Sequence, residues 1–75
     1  MSNYTVIQHV GRTSTRVTKY DTTLSALKRA MTLALKGQLD KVVILNSNGG
    51  PTVKWTRSRG DTKWTRIETP KGETP

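Results

Sequence analysis

The sequence predicts a two-layer α+β fold in the element order ββαβββ: an antiparallel sheet of four to five strands with one amphipathic helix across one face. Three observations lead there: several short runs rich in β-branched and aromatic residues, one segment at helical spacing, and turn residues between the strand-like runs.

Residues 4–10, Tyr-Thr-Val-Ile-Gln-His-Val, and the run Thr15–Tyr20 are strand-like, and Gly11-Arg12-Thr13-Ser14 between them reads as a short hairpin loop. Asp21, Thr22 and Thr23 then offer N-caps to a helix over residues 24–36 that closes at Gly37. Leu24, Leu27, Met31, Ala34 and Leu35 form its apolar stripe. Residues 40–46 are the third strand, followed by Asn48-Gly49, a strong signal for a two-residue turn. Counting outward from that turn pairs Ile44 with Val53 and Val42 with Trp55. A turn at Arg59-Gly60 would likewise pair Trp55 with Trp64, whereas a bulge or three-residue loop at 58–61 would send Trp64 to the other face. The domain is expected to span 1–67. Residues 68–75, where Glu-Thr-Pro occurs twice with nothing apolar, are expected to be a disordered tail.

Placing strand 3 beside strand 1 makes every neighbour antiparallel and gives the order 2-1-3-4-5; a parallel pairing of strands 2 and 3 is less economical. Alternation then puts Tyr4, Val6, Val17, Val42, Ile44, Val53, Trp55 and Trp64 under the helix. The outer face receives Thr5, Ile7, His9, Arg16, Thr18, Tyr20, Val43, Leu45, Lys54, Thr56, Lys63, Thr65 and Ile67.

The 75 residues carry 13 Lys and Arg against 5 Asp and Glu, a formal charge of +8. Twelve of the bases and only three of the acids fall in residues 1–67, so the folded part displays the charge, which favours polyanionic partners. There is no cysteine, so no disulfide or thiolate site supplements a small core. His9 has no second histidine to share a metal, and the acids fall at strand starts, caps, turns and the tail. No cofactor, metal or enzymatic activity is therefore expected. Absence of a leader pattern at the N-terminus and of any apolar run near the roughly 18 residues that span a bilayer predicts a soluble cytoplasmic protein with no membrane partner. The helix needs its stripe for the sheet and so does not serve as a membrane anchor.

The expected function is non-catalytic nucleic-acid binding, DNA before RNA. The densest basic stretch, residues 53–66, holds Lys-Trp-Thr-Arg twice and could form a two-stranded ribbon for a DNA major groove. Lys54 and Lys63 would meet phosphates and Arg57 or Arg59 base edges or backbone, with Arg16 and Arg66 completing the candidate set. If exposed, the tryptophans could instead stack on unpaired bases; otherwise they anchor the core. Arg59-Gly60-Asp61 matches an adhesion tripeptide, but a hairpin tip demands such a glycine anyway. The alternative function is an accessory or inhibitor protein, of the kind phages and mobile elements encode, that binds a larger acidic protein. It would use an edge strand or the apolar centre of the outer face, Ile7, Val43, Leu45 and Ile67, through which two copies could also pair as a homodimer.

Overall fold

The computed structural model describes residues 3–47 and 51–69. It contains β1 (Tyr4–Val10), β2 (Ser14–Tyr20), α1 (Leu24–Gly37), β3 (Lys41–Asn46), β4 (Thr52–Ser58) and β5 (Thr65–Thr69). All five strands join one sheet in the order β2-β1-β3-β4-β5, antiparallel at each step, with α1 on one face. The expected α+β fold and strand order are thus observed.

Helix α1 begins where the Thr23 side chain accepts a hydrogen bond from the Ala26 N–H at 3.3 Å, satisfying one of the orphan donors of the first turn. Its stripe lands as expected: Leu27, Met31 and Leu35 are buried with Val6, Leu39, Val42 and Ile44. Tyr4, Tyr20, Leu24, Ala34, Trp55 and Trp64 close the rim of this core. Both tryptophans therefore stand on the helix side. Trp55 and Tyr4 pack at nearly right angles with a centroid distance of 6.0 Å, and Trp55 lies under the Lys28 ammonium, also at 6.0 Å.

The first hairpin departs from expectation. Its loop has three residues, Gly11 to Thr13, so Val10 pairs with Ser14 and Tyr4 with Tyr20. Gly11 sits at φ 68, a left-handed conformation that suits glycine, and its N–H donates to the Asp40 carboxylate. A loop one residue shorter inverts every side chain of β2. Tyr20 packs on the core and Arg16 and Thr18 share its face, while Val17, expected inside, is 61% exposed opposite Ile7 on the outer face.

The other two registers differ from expectation by two residues, which changes partners but not faces. Ile44 pairs with Trp55, and Val42 with Arg57. The expected two-residue turn would have set Pro51, which has no N–H, opposite Asn46. Instead the Asn46 side chain accepts from the Val53 N–H at 2.8 Å and donates to the Pro51 carbonyl at 2.9 Å. The Asn48-Gly49 turn itself lies outside the described residues. Trp55 pairs with Arg66, not Trp64, which precedes β5. The cause is a wider connection organised by Asp61: its carboxylate accepts from the Ser58 N–H at 3.1 Å and its N–H donates to the Ser58 carbonyl at 3.0 Å. Gly60 takes φ 91 there. Strand β5 continues through Glu68 and Thr69 into the expected tail; residues 70–75 lie outside the described residues.

Candidate functional site

The face of the sheet opposite α1 is uncovered among the described residues, and the registers fix its composition. One cross-sheet row runs Val17, Ile7, Val43, Thr56, Thr65, and the next runs Lys19, Thr5, Leu45, Lys54, Ile67. A third places Thr15, His9, Lys41 and Ser58 side by side. Ile7, Val43, Leu45 and Ile67, the expected apolar centre, do share this face, and Val17 extends them to the β2 edge. Val43 is 9% exposed because it sits mid-sheet between Ile7 and Thr56, whereas Ile67 at the opposite edge is 44% exposed.

Every charged side chain in these rows is a lysine. Lys19 and Lys41 flank the apolar residues, Lys54 stands between Leu45 and Ile67, His9 lies beside Lys41, and no carboxylate stands among them. His9 Nδ1 is 3.4 Å from the Thr15 hydroxyl. Antiparallel strands lie about 4.8 Å apart, so Lys19 and Lys54, three strands apart in one row, have backbones separated by about 14 Å. Neither makes an ion pair among the described residues.

The six bases expected to meet nucleic acid do not gather on one surface. Only Lys54 is on the open face. Lys63 is exposed in the connection before β5, so it projects from a loop and not from the sheet. Arg16 stands on the helix side of edge strand β2 and lines a groove there. The other three have partners within the chain. Arg57 donates from Nε to the Asp61 carbonyl at 3.0 Å and from Nη1 to the Thr32 hydroxyl at 3.2 Å, and that hydroxyl in turn donates to the Lys28 carbonyl at 2.7 Å. Arg59 donates to the carbonyls of Gly37, the last residue of α1, and Leu39 beyond it at 2.9–3.1 Å, where carbonyls lack helical partners. Its Asp40 contact, 3.6 Å with both side chains about half exposed, adds little. Arg66 donates to Glu68 at 2.8 Å.

Two chemical readings of the 53–66 segment lose their basis in this arrangement. Strand β4 is paired on both sides, by β3 and β5, so residues 53–66 are not a free two-stranded ribbon. Tyr4, Tyr20, Trp55 and Trp64 all pack on the helix side, which leaves the open face without a tyrosine or tryptophan for base stacking. The adhesion-like tripeptide is a turn: the Arg59 guanidinium and the Asp61 carboxylate are both bonded to the protein's own backbone.

Lys19 and Lys41, which the sequence did not single out, and Val17, which was expected under the helix, belong to the open face. A three-residue count for the first loop would have found Val17 and Lys19, since it fixes the parity of β2. No protein-family model, curated protein or solved structure matches this chain.

Proposed function

We propose that the chain is a non-catalytic nucleic-acid-binding protein that grips phosphates with its open sheet face. The observation that supports this reading is the charge of that face: three lysines and a histidine, without a carboxylate, on a chain of formal charge +8. Unpaired strands are disfavoured as ligands because the aromatic side chains that would stack bases are packed under the helix. Duplex DNA comes before RNA on geometry. The separation of about 14 Å between the Lys19 and Lys54 backbones approaches the roughly 12 Å width of the B-form major groove, whereas the A-form major groove is deep and narrow. Such contacts position a protein on the backbone and carry no base preference of their own.

Fluorescence anisotropy with a labelled DNA duplex, an RNA hairpin and a single strand, each across about 50 to 200 mM salt, tests the reading. Affinity for the duplex should fall steeply, with a log–log slope of about −0.9 for each phosphate neutralised, and Lys54→Ala should flatten the slope by about one contact. Failure to bind any of the three polymers at the lowest salt overturns it.

A second reading has its own observation, the apolar cluster of Val17, Ile7, Val43 and Leu45, with Ile67 beyond Lys54 at the β5 edge. Apolar residues ringed by lysines also suit a larger acidic protein, met as an accessory or inhibitor. Capture that survives nuclease treatment and is lost in Ile67→Glu would favour this reading over the first.

A further inference from the structure

A different surface, the free edge of the sheet at β2, has the attributes of a peptide site. The backbone directions follow from β1. The Ser47 N–H donates to the Asn3 carbonyl and the Asp40 N–H to the His9 carbonyl, so the odd-numbered residues of β1 turn their backbone groups toward β3. Its even-numbered residues therefore serve β2, where their partners are Ser14, Arg16, Thr18 and Tyr20. The alternate residues Thr15, Val17 and Lys19 point their N–H and C=O groups out of the sheet. Three donors and three acceptors are thus spaced as one strand presents them to the next, on a seven-residue strand with no proline and no bulge in its register.

A second, independent feature adjoins this edge on the helix side. Between the β1–β2 hairpin and the end of α1 lies a groove of about 510 Å³, lined by the apolar Val10, Ala34 and Leu39 and the polar Gln8, Gln38 and Arg16. The Arg16 side chain makes no hydrogen bond or ion pair among the described residues. A strand laid against β2 would turn alternate side chains toward this groove and the others toward Val17 on the open face.

The charges select the occupant. Strand β2 and its loop carry Arg12, Arg16 and Lys19 and no carboxylate, whereas the other edge strand, β5, carries Glu68 bonded to Arg66. Two copies of a chain of charge +8 repel one another as they approach, and basic side chains on an edge are a common guard against self-pairing. The same cations attract an acidic strand.

We propose that the β2 edge and the groove beside it bind an extended acidic segment of another protein, which adds as a sixth strand with its carboxylates toward Arg16 and its apolar side chains toward Val17. The site is separate from the lysine-lined face and does not depend on the nucleic-acid reading.

The test uses a capped peptide, Thr-Glu-Val-Glu-Val-Glu-Val-Thr, titrated into the full ¹⁵N-labelled chain. The amides of Thr15, Val17 and Lys19 should shift and become protected from exchange, and the version with lysine in place of glutamate should not bind. Val17→Pro removes one outward N–H and no bond to β1, and should weaken binding at least about tenfold. Should proline unfold the edge, Arg16→Glu supplies a second reading: preference should reverse from the glutamate to the lysine peptide. Lys54→Ala should leave the peptide affinity unchanged while it weakens duplex binding, so each reading can fail alone. Peptide shifts confined to the open face, equal binding of both peptides, or self-association through β2 in sedimentation equilibrium would overturn the proposal.

Discussion

Arg57 and Arg59 lie two residues apart at the end of β4, and both are held by hydrogen-bond acceptors of the chain itself. A guanidinium presents up to five donors in a fixed fork, which lets Arg59 serve the carbonyls of Gly37 and Leu39 together. Arg57 spans from the Asp61 carbonyl to Thr32 on the helix, tying the last turn to α1. Such arginines hold the helix end and the 59–64 connection in place, and their charge reaches a polyanion only as part of the general field. Arg59→Ala should lower stability by about 1 kcal/mol in urea unfolding, below the roughly 1.5–3 kcal/mol that charged hydrogen bonds provide, because the freed carbonyls are near water. It should leave the salt slope for DNA unchanged, in contrast to Lys54→Ala. A slope that flattens in Arg59→Ala with stability intact would return Arg59 to the nucleic-acid contacts.

At the scale of the element, the lengths of loops decided which side chains face the helix. In the second and third hairpins the true register is two residues from the one that turn signals imply, and a shift of two preserves parity. Val42, Ile44, Trp55 and Trp64 therefore reach the core even though Trp55 and Trp64 are not partners. The first loop differs by one residue, and one residue inverts the strand. Composition gave no warning, since β2 mixes hydroxyls and bases on both faces with Val17 as its lone aliphatic, while the matched aromatics Tyr4 and Tyr20 become visible only once the loop is counted as three. Helix α1 was legible because its stripe has five members and its cap a fitting threonine. The roles of Arg57 and Arg59 were not legible, because their acceptors are 20 or more residues away or are backbone carbonyls that a sequence does not mark. Two substitutions check the face assignment. Tyr20→Ala, at a half-buried ring on the core, should cost about 2 kcal/mol, and Val17→Thr, at an exposed position, should stay within about 0.5 kcal/mol. The reverse order in denaturant midpoints would restore the four-residue loop. Thr23→Ala should cost about 1 kcal/mol by removing the cap at Ala26.

For the whole molecule, the surplus of positive charge and the proposed ligand make opposite demands on salt. Among the described residues only two ion pairs form, Arg59 with Asp40 and Arg66 with Glu68, so most cations repel one another without a nearby anion. Screening falls to a Debye length of about 8 Å near 0.15 M and about 3 Å at 1 M, distances shorter than the roughly 14 Å between Lys19 and Lys54. The free protein should therefore melt a few degrees higher in 0.5 M than in 0.02 M sodium chloride; for a domain of this size about 1 kcal/mol corresponds to about 4–8 °C. A DNA duplex that binds only the folded state should raise the melting temperature at low salt by mass action, and that rise should vanish by 0.5 M as counterion release ceases to favour binding. The two effects have opposite signs and appear in one differential scanning experiment. A melting temperature that rises with salt but ignores the duplex would assign the charge to an acidic protein partner, while one indifferent to both would mean that the cations are too well separated to act together.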